Sequence, residues 1–365
     1  MLKRFALPTL LAGIIAAGLV AELLPASPAG AGDASPGESA AVADVAARKS
    51  LTAKAVRAAR VFKASLGSSQ RAALQYSFNS SEKKSGWSNL PTNFVPRNGV
   101  AIKDLGSGQR ARLRMLLDTI LSSQGYADEV AVVKANAYLK QEQQNQDGAA
   151  PIVDYGAGLY YVAFFGTPSP SRKWTVQFGG HHYALHMTFS GATVSNTPYF
   201  IGVDPPTAFE VRGKTYEPMA NEVAALFGAV RSLNASQRAR ARLSQSFDDV
   251  LVGAQKDGQF PAKLGITVST LSTPQQKLVT RAIRSYVGDM PRKQANRHIA
   301  TYKKQYAKTK LAWSGSTDAT RPGAYVRIHG PRVWLELAMQ KGIGPFRSHY
   351  HSIERDIERD YGAGP

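Results

Sequence analysis

From about position 43 onward, hydrophobic residues recur at two different periods, and the switch between them divides the chain. Residues 43–66 are alanine-rich with valines at helical spacing, which predicts a helix. A short pattern then recurs four times: Leu66-Gly-Ser-Ser-Gln70-Arg71, Leu105-Gly-Ser-Gly-Gln109-Arg110, Leu233-Asn-Ala-Ser-Gln237-Arg238 and Leu271-Ser-Thr-Pro-Gln275-Gln276. Each places a cap-type residue after the leucine and a glutamine three positions later, close to a capping box. Pro274 falls in the first turn, where a missing N–H is tolerated. Apolar-periodic residues follow, for example Leu113, Leu116, Leu117, Ile120 and Leu121. The spacings are unequal, so the pattern predicts four helix starts and not a solenoid.

The middle of the chain changes to short runs of aromatic and β-branched residues at 160–165, 174–178, 182–189 and 192–201. Gly166-Thr167-Pro168, Gly179-Gly180 and Ser190-Gly191 separate them as turn signals. Three more such runs lie at 311–313, 325–329 and 332–339, the last two joined near Gly330-Pro331. Helical patterns at about 217–232, 236–252, 273–287 and 292–308 interrupt the two groups. No βαβ alternation is present. The fold class expected is therefore α+β: an antiparallel sheet flanked by helices, with strands from 160–201 and 311–339 in one sheet. The domain plan is a leader over 1–31, a flexible linker over 32–42 and a single α+β domain over 43–365.

Alternation along these strands places the candidate chemistry. Six of the seven histidines fall in three clusters: His181, His182 and His186; His329; and His349 with His351. Tyr183, Leu185, Met187 and Phe189 share one strand face, leaving His182 and His186 on the other. Val326 and Ile328 oppose Tyr325, Arg327 and His329, and Val333, Leu335 and Leu337 oppose Arg332, Trp334 and Glu336. Burying the apolar faces makes His182, His186, Arg327, His329 and Glu336 project from the opposite face. His182 and His186 are roughly 13 Å apart along a strand, too far to share an ion, whereas His349 and His351 lie on one face at roughly 6.5 Å. The metal set expected is His182, His329, His349 and His351, with Glu336 as candidate base. His181, His186, Arg327, Arg332, Arg355 and Asp356 fall around it or in the pocket wall. Metal binding, a metal-free acid–base or anion pocket, and purely structural histidines all remain open at this point.

Composition narrows the chemistry. There is no cysteine, so any metal site must use imidazole and carboxylate ligands, and packing alone must stabilise the fold. The chain opens with Met1-Leu2-Lys3-Arg4, continues apolar to about Leu24 and reaches Ala29-Gly30-Ala31. That order reads as a cleavable secretory signal, against an uncleaved anchor, so an exported protein is expected with no stable membrane span after cleavage. The net charge is +19. Much of it lies between Lys277 and Lys310, where ten basic residues are opposed only by Asp289. Such a run is either a solvated helical surface or a patch for an anionic cell-envelope polymer. Nucleic acid is not expected as a partner, since no recognition motif is present. Gly-x-Ser-x-Gly, Walker and dinucleotide fingerprints are also absent.

Several ordered motifs resemble one bacterial family. They are Trp87-x-x-Leu90-Pro91, Pro96-Arg97-x-Gly99, Phe165-Gly166-Thr167-Pro168, Gly180-His181-His182, Arg327-Ile328-His329-Gly330-Pro331-Arg332, His349-Tyr350-His351 and Arg355-Asp356. Together they resemble the family catalogued as domain of unknown function 3500, over about Lys54 to Gly362. The resemblance implies one continuous domain and this motif set, and it carries no catalytic assignment. Family sequences often have Trp where this chain has Glu354, so it assigns that position no role.

Two functions follow as expectations. One is an exported metal-dependent enzyme, hydrolytic with Zn or oxidative with Cu, working from a His-lined site. The other is a non-catalytic envelope protein that binds anionic polymer through its basic helices.

Overall fold

A computed structural model describes residues 50–146, 153–342, 346 and 348–364, so the expected leader and linker lie outside the described residues. All four leucine–glutamine boxes start helices: Ser68–Leu74, Ser107–Ile120, Ala235–Ala241 and Thr273–Val287. In each, the glutamine Oε1 accepts from the N-cap backbone N–H, at 2.9 Å for Gln70, 2.8 Å for Gln109 and 3.0 Å for both Gln237 and Gln275. Gly67 and Gly106 have no side chain to return the bond. Asn234 and Ser272 do, accepting from the N–H of Gln237 at 2.9 Å and of Gln275 at 3.5 Å. The glutamines also pair with one another, Gln109 Nε2 donating to Gln70 Oε1 at 2.9 Å and Gln275 Nε2 to Gln237 Oε1 at 2.8 Å. The helix expected from 43 is described as Leu51–Ala64, capped by Ser50, whose Oγ accepts from Ala53 N.

Fourteen strands are described. In chain order they are β1 (Gln75–Tyr76), β2 (Val100–Ala101), β3 (Tyr161–Phe165), β4 (Trp174–Gly179), β5 (Tyr183–Ser190), β6 (Thr193–Ser195) and β7 (Tyr199–Val203). Then come β8 (Phe209–Val211), β9 (Lys214–Tyr216), β10 (Ile266–Thr267), β11 (Lys310–Ser314), β12 (Tyr325–His329), β13 (Val333–Lys341) and β14 (Ser348–Asp356). All but β8 and β9 form one mostly antiparallel sheet, in the order β1-β3-β4-β5-β7-β14-β13-β12-β11-β10, with β2 beside β3 and β6 beside β5. The fold is α+β, and the two strand groups share one sheet as the alternation predicts. The run at 192–201 forms two strands and not one, broken before Pro198, which has no N–H to give a ladder. β14 is the joining strand. Its Glu354-Arg355-Asp356 run hides it from a hydrophobic pattern, yet it pairs with both β7 and β13.

Read outward from the β7–β14 seam, the sheet is the same arrangement twice. The first half packs Leu51–Ala64 against Ser107–Ile120, and the second packs Ala220–Arg231 against Thr273–Val287. β1 joins β3 in parallel, as Arg242 joins Trp313. The hairpin turns make the same pair of backbone bonds. Gly180 N donates to Tyr183 O at 2.9 Å and Gly330 N to Val333 O at 2.7 Å, while Gly202 N donates to His182 O at 2.7 Å and Ile357 N to Arg332 O at 2.8 Å. An approximate two-fold axis through the seam thus makes His182 and Arg332 equivalents. Two residues on from Gly202 and Ile357, Asp204 and Arg359 are equivalents too.

One sheet face carries Leu185, Met187, Ile201, Leu335 and Leu337 against the helices. The other face is not open, contrary to the sequence expectation: Trp87, Val252 and Tyr361 cover Ala184, Phe200, Trp334 and Ile353. Part of that cover is the segment expected as a helix at 236–252, which is helical only over Ala235–Ala241. Beyond it the sheet satisfies the backbone in place of helical bonds. Glu336 accepts from Leu251 N and Val252 N, both at 2.8 Å, and Arg355 donates to Val252 O and Gly253 O, both at 2.7 Å. The helix expected at 292–308 ends at Lys303, followed by a 3-10 turn at Tyr306–Lys308.

Candidate metal centre

Three of the four histidines expected to converge do so. His182, His349 and His351 are buried and each offers a ring nitrogen, the three lying within 4.8 Å of one another, so the group could hold a metal ion. His349 and His351 stand two apart on β14 and share a face, which brings their Nε2 atoms to 3.0 Å. Two nitrogens bound at about 2.1 Å to one ion at roughly right angles would be about 3 Å apart. His182 is not part of the strand expected from 182. It sits in the turn before β5 at φ 65°, a left-handed conformation that swings its ring back towards β14. Gly202, between the two segments on β7, leaves the room: a Cβ there would meet the His351 ring at 3.0 Å and the His182 ring at 3.2 Å.

The surroundings fix the rings and their protonation. His351 Nδ1 donates to Asp249 Oδ1 at 2.8 Å, and the other carboxylate oxygen accepts from Gln340 Nε2 at 3.1 Å. With that proton on Nδ1, His351 Nε2 presents a lone pair to its neighbours. His349 Nδ1 is buried with no hydrogen-bond partner. His181 stacks on His182 with ring centroids 3.6 Å apart, and its Nδ1 meets Asn136 Oδ1 at 3.1 Å. Burial, then the adjoining imidazoles, holds His182 and His181 well below the ordinary histidine value. The same causes lower His349 to about 3. The His181, His182 and His349 rings are therefore neutral at neutral pH, the form that binds a metal. They line a cavity of about 310 Å³ whose wall includes Leu90, Phe94, Tyr155 and Asp204. Burial pushes the Asp204 carboxyl up to about 7.

The remaining expected residues are placed elsewhere. His329 is not brought to the group. It ends β12, packs against Trp334 at 4.8 Å between ring centroids, and is lowered to about 4, chiefly by burial. Register explains this: His329 pairs with Trp334 and Trp334 with Arg355, four residues along β14 from His351. Glu336 is fully buried away from the triad and spends its oxygens on Leu251 N, Val252 N, Tyr325 Oη at 2.7 Å and Trp334 Nε1 at 3.0 Å, so it clamps the covering segment. His186 lies between Gln177 Nε2 at 2.8 Å and Pro198 O at 2.7 Å. Arg327 donates to Ala262 O, Arg332 is paired with Asp356, and Arg355 is buried with Asp257 and Asp360, each at 2.8 Å. Sequence reasoning missed Asp249, Asp204 and Asn136. Only tertiary contact connects them to the histidines, and no spacing in the sequence points to them.

A family model described as "Protein of unknown function (DUF3500)" matches residues 48–363. The chain belongs to the DUF3500 family. No curated protein and no solved structure matches it. The DUF3500 match spans both halves of the sheet, the three histidines and Asp249. Among the described residues no helix is long and apolar enough to cross a membrane.

Proposed function

We propose that the protein is an exported metal-dependent enzyme of hydrolytic type, with His182, His349 and His351 as ligands of one zinc ion. The observation that carries this reading is the His351–Asp249 contact at 2.8 Å inside the three-nitrogen group. A carboxylate on the far ring nitrogen is the usual means of orienting a metal-binding imidazole and raising its basicity. Three nitrogen ligands and an open side facing a cavity match catalytic zinc better than the closed four-ligand structural pattern. An ion so held supplies Lewis acidity at neutral pH. Asp204, in the same cavity and with its carboxyl pushed up to about 7, takes the role of proton carrier first assigned to Glu336.

Metal analysis of untagged protein tests the reading. About one zinc per chain is expected, and none in a His349→Ala/His351→Ala double variant that keeps its fold. Metal-free wild type after growth in zinc, or full zinc in the double variant, would refute it. Copper in place of zinc would move the chemistry to the oxidative class.

A second reading has its own support. Lys277, Arg281, Arg284, Arg292, Lys293, Lys303 and Lys304 are all exposed on the helices Thr273–Val287 and Arg292–Lys303 or just beyond. Such a surface suits an anionic envelope polymer, with attraction screened over about 8 Å at physiological salt. Retention on cell-wall material that is insensitive to salt would count against it.

A further inference from the structure

The two-fold axis gives the histidine pocket a counterpart, and the counterpart has different chemistry. Counting back equally from Gly202 and Ile357 reaches Val194 and His349. At the second site Arg332 thus replaces His182, Arg359 replaces Asp204 and Val194 replaces His349. These three residues, with Arg297, His298 and Thr301, wall a cavity of about 150 Å³. We infer that this cavity is a binding site for a small tetrahedral oxyanion of the phosphate or sulfate type.

Size and charge both fit. A cavity of about 150 Å³ has room for one such anion. Three guanidinium groups line it, the side chain best suited to bind oxyanions through paired N–H donors. Arg332 is held rigidly: its Nε donates to Asp356 Oδ1 at 3.0 Å and its Nη2 to Oδ2, so Asp356 lies behind the guanidinium. Glu358 reaches the same Nε side at 3.4 Å from an exposed position. No carboxylate is among the lining residues. His298 is fixed by Val194 O at 2.9 Å and by Asp356 at 3.7 Å. Arg297 lies at the rim, its Nη1 donating to Ala192 O at 3.2 Å and Gln294 Oε1 at 3.4 Å. Arg292 and Lys293 start the same helix and are exposed, so the approach to the cavity is basic as well.

The test is calorimetric titration of the whole chain with inorganic phosphate and with sulfate, alongside the melting temperature in each salt. Saturable binding of one anion per chain and a melting temperature that rises with anion concentration are expected. Arg297→Gln should weaken binding about tenfold, the loss of one charge-assisted hydrogen bond. Thr301→Asp, which sets a carboxylate at the wall, should abolish it. Both positions are partly or fully exposed, so neither change should alter the fold, and the unliganded melting temperature checks this. No saturable binding in wild type, or unchanged affinity in both variants, would overturn the site. Because it shares no residue with the zinc group, phosphate binding in the His349→Ala/His351→Ala variant separates this inference from the metal reading.

Discussion

The two ends of the β7–β14 seam are built on one backbone plan and finished with opposite chemistry. At one end a turn residue in a left-handed conformation, His182, meets two histidines of β14 and forms a neutral, nitrogen-donating pocket. At the other end Arg332 occupies the same turn position, pairs with Asp356 and lines a cavity with two more arginines. The hydrogen bonds that hold the two turns differ by no more than 0.2 Å, but only His182 is left-handed, so the turns share their pairing and differ in backbone at the residue that enters the site. That conformation and the side chains at a few equivalent positions select the chemistry. One strand plan thus carries imidazoles at one end and guanidinium groups at the other.

The strongest way to break this comparison is to remove the donors at the histidine end. Removing His349 and His351 together is expected to take zinc from about one per chain to none, read by elemental analysis, with circular dichroism unchanged. If the same variant also lost phosphate binding, the two ends would not be independent.

Next in size is Glu336→Ala. The change leaves Leu251 N, Val252 N, Tyr325 Oη and Trp334 Nε1 without their acceptor in the interior, at a cost of about 3–5 kcal/mol. Chemical denaturation would show it. A loss below about 1 kcal/mol would mean that water replaces the carboxylate and that the covering segment is not clamped there.

Asp249→Asn should lower zinc affinity about 10–100-fold while leaving the stoichiometry intact, since the change weakens the orientation of the His351 ring without removing a ligand. Competition with a zinc chelator measures it, and an unchanged affinity would place Asp249 outside the site's working parts.

Buried carboxyls on two helices and on β14 give a pH signature. Burial raises Glu129, Glu222 and Glu354 to about 8 each, so the folded chain keeps protons that the unfolded chain has already released above about pH 4.5. Their contribution is complete below the unfolded value and is lost as pH rises through 8. The buried histidines act in the other direction and only below their unfolded value of about 6.5. Between pH 6.5 and about 8 the melting temperature should therefore fall as pH rises. A flat profile there would show these carboxyls to be ionised in the fold.

The smallest effect tests the repeat itself. Gln109→Ala and Gln275→Ala remove equivalent caps, and each should cost about 1 kcal/mol. Unequal costs would show that the halves have diverged in energetics as well as in chemistry.

Much of the architecture was legible because it rests on local rules. The capping glutamines are read within a few residues, and the alternation in β5, β12 and β13 assigned faces that the structure keeps. The repeat stood in the sequence but was read only as four separate helix starts. Leu66 and Leu105 stand about as far apart as Leu233 and Leu271, so the unequal spacings that argued against a solenoid are those of a doublet made twice. β14 was not legible as the joining strand, since its charged residues are satisfied by segments far away in sequence, such as Val252 and Asp257 meeting Arg355. The same limit applies at the site. The His-x-His spacing on β14 was enough to pair His349 with His351, but only the turn at His182 and the path of the chain through Asp249 decide what joins them.

The position of β14 also bears on the order of events during synthesis. Of the described strands it stands last in chain order, and it sits between β7 and β13 in the middle of the sheet. Until it emerges, β7 and β13 are both unpaired edges facing each other across a gap. The earlier strands can form two half-sheets but cannot close into one. His349 and His351 arrive with that strand, so the nitrogen donors are assembled in the same step that seals the sheet. Without β14 the turn before β5 brings only His182, one of the three nitrogen donors.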